Sequence, residues 1–252
     1  MAVKLYVIPS SHPSKAAELM LEHKGIPFKR VDLVTAMHKP SLKLLGFSGT
    51  TVPAMKADGR KVQGSREISR TLDEIKPDPP LVPSDVVREA ERWGEEELQG
   101  IPRRLAWWTL IHLSGKQRTE AARLSLEGYR VGLPIGVASR TVLPIAKVAT
   151  RYNHATDDAV RADLAAVPDR IDKVDALLSE GVIGGEQLNA ADFQIATSVR
   201  LLLAYEDLKP YIEGRPAADH ARRVVPDYNA AFPKVFPSEW LPNLRPEAEI
   251  PN

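Results

Sequence analysis

Three serines close to the start of the chain, Ser10, Ser11 and Ser14, are the residues best suited to hold a reactive anion. A short apolar run over 3–8 precedes them, and its β-branched residues together with Pro9 predict a buried strand that ends there. The serines therefore lie where the chain leaves a strand and turns back along it.

A helix is predicted directly after these serines, because apolar residues recur at helical spacing after Pro13 until Gly25 ends the pattern. The first N–H groups of a helix are unpaired and carry partial positive charge, so an anion such as a thiolate is stabilised there. Serine is also a preferred helix cap, and capping alone explains a serine at this position. Both interpretations apply to Ser11.

Composition limits the chemistry that the chain can perform. The 252 residues are 43% hydrophobic, and 34 Lys+Arg against 33 Asp+Glu give a net charge of +1. This balance offers no electrostatic support for binding nucleic acid or a membrane. With 0 Cys, the chain has no thiol nucleophile, disulfide or cysteine-ligated metal, so a ligand must supply any sulfur chemistry. No signal segment or membrane-spanning run is evident, and we expect a cytoplasmic protein.

The residues up to 76 predict four strands and three helices. After the first strand and helix, 28–33 alternates as a strand, 38–46 predicts a short helix, and Asp58-Gly59 marks a hairpin. A helix follows over 65–75, with Ser65 as its expected N-cap. The order β-α-β-(α)-β-β-α is that of a thioredoxin-like unit with a parallel first strand pair.

A proline-rich stretch over 77–85 separates this unit from a region in which only helices are predicted. We therefore predict a thiol-binding domain over 1–76, a linker over 77–85 and an all-helical domain over 86–252. The clearest helices there cover 86–113, which Gly100 and Pro102 should bend, 142–152, 157–179 and 189–203. A further helix is expected over 117–129, although the segment 117–153 as a whole has no assigned role.

Six short motifs in order resemble those of the soluble glutathione transferases, in particular serine-type, bacterial-like members. They cover residues 1 to about 205 and correspond to the family's catalytic loop, Lys-Gly-Ile segment, basic stretch, cis-proline pair, γ-glutamyl site and capping box. In this sequence they are Ser10-Ser11-His12-Pro13-Ser14, Lys24-Gly25-Ile26, His38-Lys39-Pro40, Val52-Pro53, Gly64-Ser65-Arg66 and Leu188-Asn189-Ala190-Ala191-Asp192-Phe193.

The resemblance implies that glutathione is the co-substrate and that no metal takes part. Ser11 falls on the catalytic serine, with Ser10 and Ser14 as alternates. Tyr6 is one position out of step with the tyrosine of tyrosine-type members, so we interpret it as a packed residue. The implied glutathione-binding residues are His38, Lys39, Thr51, Val52, Pro53, Ser65 and Arg66.

By the same resemblance, the hydroxyl of Ser11 and the helix N-terminus convert the bound thiol to a thiolate, which attacks a small apolar electrophile. Trp107 and Trp108 are candidates for the electrophile pocket, although ordinary helix packing explains at least one of them. The family further implies a detoxification role and a homodimer.

One departure from the family pattern favours an alternative function. Gly64 stands where an acidic or amide residue usually pairs with the γ-glutamyl ammonium. The alternatives are a transferase that uses another thiol and a non-catalytic binding module with the same fold. An isomerase is less favoured, because His12 replaces the cysteine of that loop. The glycines over 181–185 lack the pattern of a nucleotide site.

Overall fold

The computed structural model describes residues 2–35, 37–127 and 134–243. Its first part contains a four-stranded sheet of order β2-β1-β3-β4, in which β1 and β2 are parallel and the other pairs are antiparallel. The thioredoxin-like order is confirmed. The elements are β1 (Val3–Val7), α1 (His12–His23), β2 (Phe28–Asp32), α2 (His38–Leu44), β3 (Ala54–Ala57), β4 (Arg60–Gln63) and α3 (Ser65–Ile75).

Alternation along β1 assigns its side chains to two cores. Leu5 and Val7 belong to the main core shared with α1 and the helical part, whereas Tyr6 points to the other face. There Tyr6 packs edge-to-face against Phe47, with ring centroids 5.5 Å apart. The interpretation of Tyr6 as a packed residue is confirmed.

A buried ion pair fixes the end of the first part against the proline-rich stretch. Lys24 is fully buried, and its Nζ lies 2.5 Å from Oδ1 of Asp73 and donates to the carbonyl of Pro77 at 3.3 Å. The Asp73 carboxylate also accepts from the N–H groups of Leu81 and Val82 at 2.8 and 2.9 Å. The domain boundaries at 76–77 and 85–86 remain predictions from the sequence.

The second part is helical, as predicted. The helix expected over 86–113 is divided by a π-helical segment, Gly94–Leu98, which lies before the bend expected at Gly100. A Cβ on Gly94 would lie 3.0 Å from Cγ1 of Ile195, so a glycine permits this close packing. The helices are α4 (Asp85–Trp93), α5 (Gly100–His112), α6 (Gly115–Leu126), α7 (Ile135–Arg140), α8 (Val142–Tyr152), α9 (Asp157–Ser179), α10 (Ala190–Leu202), α11 (Lys209–Ile212) and α12 (Pro216–Val224).

The central element of the core is α10, of which all but one residue is buried, and it packs against α1, α4 and α12. The predicted capping box at its N-terminus, formed by Asn189 and Asp192, is confirmed. The predicted helix over 117–129 begins at Gly115, and its last two residues lie outside the described part. In the described part of the chain, no helix is long and apolar enough to cross a bilayer.

Candidate functional site

Ser11 caps α1 and keeps its hydroxyl half-buried at the edge of a cleft. Its backbone is extended, with φ −77° and ψ 107°, so the side chain turns back over the first helical turn. Ser11 Oγ accepts from the N–H of Ser14 at 3.4 Å and from its hydroxyl at 3.0 Å. The Ser11 hydroxyl proton has no acceptor among the described residues, so it is available to a ligand.

The other two serines are committed within the protein. Ser10 adopts a left-handed φ of 64°, and its hydroxyl donates to the carbonyl of Ser125 at the end of α6. Ser14 is buried, and its hydroxyl is the donor to Ser11. Both alternates thus have a hydrogen-bond partner within the protein, Ser10 in the wall of the cleft and Ser14 at Ser11.

The cleft at Ser11 has a volume of about 190 Å³ and brings together segments far apart in the chain. One wall comes from α1 and β2, and the other from the end of α6 and the residues 227–230. The helix α6, which belongs to the segment 117–153 without an assigned role, thus forms part of this wall. The lining residues are Ser10, Ser11, His12, Lys15, Glu18, Arg30, Leu124, Ser125, Glu127, Asp227, Tyr228, Asn229 and Ala230.

Five of the thirteen lining residues are charged. Arg30 lies 3.7 Å from the buried carboxylate of Glu18 and 3.0 Å from Oδ1 of Asp32. Lys15 approaches Glu18 from the other side at 3.9 Å. Burial raises the pKa of Glu18, although the charges of Arg30 and Lys15 oppose that shift. Sequence reasoning missed these residues, because no local pattern connects 15, 30 and 227.

His12, next to Ser11, is buried and neutral. Its Nε2 lies 3.2 Å from the carbonyl of Gln99, which immediately precedes α5. Burial lowers the pKa of His12 to about 3, and the nearby positive charge of Arg103 acts in the same direction. A charged imidazole would therefore destabilise the folded state at this point.

Replacement of His12 by glutamine is expected to weaken the loss of stability in acid. In the unfolded chain this histidine becomes protonated once the pH falls below its ordinary pKa of 6.5. In the folded chain it becomes protonated only when the pH approaches the lowered pKa of about 3. Between these values folded stability falls as pH falls, by up to about 1.4 kcal/mol per pH unit. Urea unfolding at about pH 7 and about pH 5 should show the variant losing about 2 kcal/mol less than the wild type.

A suitable control is His154→Asn, because His154 is exposed and asparagine accepts its left-handed φ of 52°. Equal acid losses in His12→Gln and the wild type would contradict the assignment of a neutral buried histidine.

Ser65 was expected to cap α3, and this expectation is wrong. Gly64 is the N-cap, with a φ of 88° that favours glycine, and no side chain caps the helix. The buried Ser65 hydroxyl instead donates to Oε1 of Gln194 at 2.7 Å, and Gln194 Nε2 donates to Oε1 of Gln99 at 2.6 Å. This chain of side chains joins the sheet domain to α10 and to the start of α5.

All three basic residues predicted to bind glutathione have partners in the protein. Arg66 forms ion pairs with Glu95 and Glu96. His38 Nδ1 contacts the carbonyl of Thr35. The ammonium of Lys39 lies 3.6 Å above the ring centroid of Tyr152 in α8, a cation–π contact.

The segment before β3 presents an open backbone. Val52-Pro53 is a cis peptide bond, the form that the family's proline pair implies. Gln63 holds the preceding loop, accepting from the N–H of Gly49 at 2.7 Å and donating to the carbonyl of Thr51 at 3.0 Å. Among the residues the structure describes, nothing hydrogen-bonds to the Val52 backbone, which leaves it accessible to a ligand.

The two tryptophans do not line the cleft at Ser11. Trp108 is buried, donates to Oδ1 of Asp157 at 2.8 Å and stacks on His112 with ring centroids 3.7 Å apart. Trp107 is half-buried, and its carbonyl accepts from Thr150 at 3.3 Å. Helix packing thus accounts for Trp108, as one of the two interpretations predicted.

A larger groove, about 410 Å³, lies between α3 and α4, away from Ser11. It is lined by charged side chains that pair with one another, such as Arg88 with Asp85 at 2.5 Å. We assign the candidate site to the smaller cleft, since that cleft contains a hydroxyl with an uncommitted proton. In the described ranges, no group of three or more His, Asp or Glu side chains could hold a metal ion.

A thioredoxin-like part followed by an all-helical part is the arrangement of the glutathione transferase fold. A family model described as the glutathione S-transferase N-terminal domain matches residues 5–80. The first part of the chain is thus similar to the N-terminal domain of the glutathione S-transferases, and the chain as a whole has their fold. Among curated proteins, none matches this sequence.

Solved structures show the same fold over most of the chain. FzlA from C. crescentus is 16% identical, with a TM-score of 0.54 and coverage of 95% of this chain and 98% of that one. A glutathione S-transferase from Methylobacterium radiotolerans, in complex with glutathione sulfonate, is 18% identical, with a TM-score of 0.51 and coverage of 94% and 99%. The beta-etherase LigF from a Sphingobium species is 18% identical, with a TM-score of 0.52 and coverage of 88% and 99%.

Proposed function

We propose that this protein is a glutathione transferase-like enzyme that joins a thiol to an electrophilic carbon, with Ser11 as its catalytic residue. One observation carries the proposal: the Ser11 hydroxyl accepts two hydrogen bonds from Ser14 at the N-terminus of α1, faces a cleft and has its own proton uncommitted among the described residues. A hydroxyl so placed can donate to a sulfur anion.

The proposed mechanism lowers the pKa of the bound thiol. The Ser11 hydroxyl donates to the sulfur, and the unpaired N–H groups of α1 add a favourable field. A shift of about two units from the ordinary value near 8.5 corresponds to roughly 2.7 kcal/mol and makes the thiol largely ionised at neutral pH. The thiol proton passes to solvent, a carbon–sulfur bond forms, and the leaving group departs with its electron pair.

Glutathione is the proposed thiol, supported by the family match and by the glutathione sulfonate in a structural neighbour. The open Val52 backbone, beside Thr51 and Pro53, suits the cysteinyl portion of the tripeptide. His38 and Lys39 remain the proposed partners of its glycine carboxylate, since among the described residues Lys39 contacts only the ring of Tyr152. Binding by Ser65 or Arg66 would have to proceed through the backbone, because both side chains are already paired.

The character of the cleft modifies the expected electrophile. A small apolar molecule was expected, but charged side chains from α1, β2 and the residues 227–230 line the space beside Ser11. Leu124 is the one large aliphatic residue of this lining. We therefore propose a small electrophile that carries a polar or charged group.

Two measurements test the proposal together. Turnover of a chromogenic aryl halide with glutathione measures catalysis, and retention on immobilised glutathione measures thiol binding. Binding with turnover supports the transferase. Turnover with another small thiol in place of glutathione supports the alternative co-substrate, and binding without turnover of any tested electrophile contradicts the enzymatic proposal.

A non-catalytic binding module is the second candidate. It is favoured by the position that corresponds to the family's γ-glutamyl site. There Gly64 has no acidic side chain, and the Ser65 hydroxyl already donates to Gln194.

The similarity to the family also supports a homodimer in the cytoplasm as a proposal. Sedimentation of the purified chain tests the dimer.

A further inference from the structure

Arg103, in the first turns of α5, is a half-buried guanidinium without a partner. Among the described residues, no carboxylate, carbonyl or hydroxyl lies within ion-pair or hydrogen-bond distance of it. The adjacent Arg104 shows the usual arrangement, because its Nε and Nη2 both lie 2.6 Å from the Asp163 carboxylate. Of these two consecutive arginines, Arg104 thus has a carboxylate partner among the described residues and Arg103 does not.

Among the described residues, the carboxylate whose charge acts on Arg103 already has a partner. Glu95, whose charge acts on Arg103, forms an ion pair with Arg66 across the domain boundary. Asp163 is occupied by Arg104 on another side of the helix. Burial lowers the pKa of Arg103, and the charge of Arg104 adds to that effect. A half-buried guanidinium without an anion is costly, so an anion bound at this position would be stabilised.

The position of Arg103 connects it to the candidate site. Gln99 precedes it by four residues and so lies one turn earlier on the same side of the helix. The carbonyl of Gln99 contacts His12, and His12 follows Ser11 directly in the chain. The positive charge of Arg103 also acts on His12. The neutral His12 therefore does not repel a cation there, and an anion bound at Arg103 would lie on the side of α5 that contacts His12, the residue next to Ser11.

We propose that Arg103 binds the carboxylate of a substrate held beside Ser11, so that the enzyme prefers anionic over neutral substrates. The inference rests on the proposed function for its catalytic part. The planar fork of arginine matches a carboxylate with two parallel hydrogen bonds, which a lysine ammonium does not reproduce. The carboxylate can belong to the electrophile or to the thiol, and the experiment distinguishes these sources.

The kinetic test compares a chlorodinitrobenzene with the matching chlorodinitrobenzoate, in the wild type and in Arg103→Gln. We expect the variant to lose about 10- to 100-fold in kcat/KM for the benzoate and less than about threefold for the neutral halide, the range of one charge-assisted pair. Arg103→Lys should restore part of the benzoate rate. Arg88→Gln, an exposed arginine on α4, is the matched control and should change neither rate.

A second arm varies the thiol. If Arg103→Gln instead raises KM for glutathione and leaves the rates with cysteamine, a thiol without carboxylates, unchanged, the bound carboxylate is that of the thiol. The proposal is overturned if the variant leaves unchanged both the ratio of kcat/KM for the benzoate to that for the neutral halide and the ratio for glutathione to that for cysteamine. It is also overturned if the variant lowers all these rates equally.

Equilibrium binding separates this inference from the proposed function. Titration calorimetry with dinitrobenzoate and with dinitrobenzene requires no turnover. Preferential binding of the benzoate, lost in Arg103→Gln, supports the carboxylate site even if no transferase activity is found. Equal binding of the two compounds to the wild type, with no change in glutathione affinity in the variant, overturns it even if the enzyme is active.

Discussion

Replacement of Ser11 by alanine is expected to lower kcat with glutathione by about 10- to 100-fold, at saturating thiol. A hydrogen bond to a charged acceptor contributes about 1.5–3 kcal/mol, and the Ser11 hydroxyl is the side-chain donor that we propose for the sulfur. Its removal leaves the thiolate only the field of the α1 N-terminus. The pH at which the bound thiol ionises should therefore rise by about one to two units.

Two measurements check this result. The pH dependence of kcat reports the ionisation of the bound thiol during turnover, and the ultraviolet absorbance of the thiolate reports it without turnover. Ser11→Thr is the matched control, since threonine retains both the hydroxyl and the capping role. It should keep most of the activity, whereas alanine also removes about 1 kcal/mol of helix-cap stability.

The neighbouring serines make the prediction specific. Ser10→Ala removes the bond to the Ser125 carbonyl and should loosen the wall of the cleft without shifting the thiol pKa. Ser14→Ala removes one donor to Ser11 and should produce a smaller loss than Ser11→Ala. A larger loss for Ser10→Ala than for Ser11→Ala would show that the catalytic hydroxyl has been misassigned.

Features of the fold that depend on local sequence were predictable. The strand-to-helix junction at Ser11, the helix over 157–179 and the capping box at Asn189 each follow from residues within a few positions of one another. Gly25 ends α1 with a φ of 60°, as a helix-stop glycine should. Hydrophobic periodicity and helix capping depend on residues a few positions apart, so both can be recognised in a single sequence.

Features that depend on distant residues were not predictable. The side chain of Ser65 is directed by Gln194, which lies 129 residues away in the chain, and Lys39 meets Tyr152 on a helix of the second part. The cleft beside Ser11 combines α1, β2, α6 and the residues 227–230. Its polar lining could not be inferred from motifs, because each motif describes only one wall.

Asp192 is expected to show the largest effect on stability. It is fully buried, and its carboxylate accepts from the N–H of Gly184 at 2.6 Å and from that of Asn189 at 2.8 Å. Nε2 of His220, whose pKa burial lowers to about 4, lies 3.2 Å from Oδ1. Asp192→Ala leaves two buried N–H groups without an acceptor, at about 1–3 kcal/mol each.

The expected loss in the free energy of unfolding is therefore about 3–5 kcal/mol, a large part of the stability of a typical domain. Urea denaturation should show a lower midpoint, and thermal unfolding a Tm lower by roughly 10 °C. Asp158→Ala removes an exposed carboxylate from the first turn of α9 and is the control, with an expected change below about 1 kcal/mol.

Asp192→Asn distinguishes lost hydrogen bonds from lost volume. Asparagine keeps one acceptor oxygen and the size of the side chain, but its amide N–H₂ faces the second backbone donor, so an intermediate loss is expected. Because α10 packs against α1, the alanine variant should also weaken the support of Ser11, but only in proportion to unfolding. Folded Asp192→Asn should therefore retain the wild-type thiol pKa, and a shift in that pKa would place Asp192 in the catalytic machinery and contradict its purely structural role.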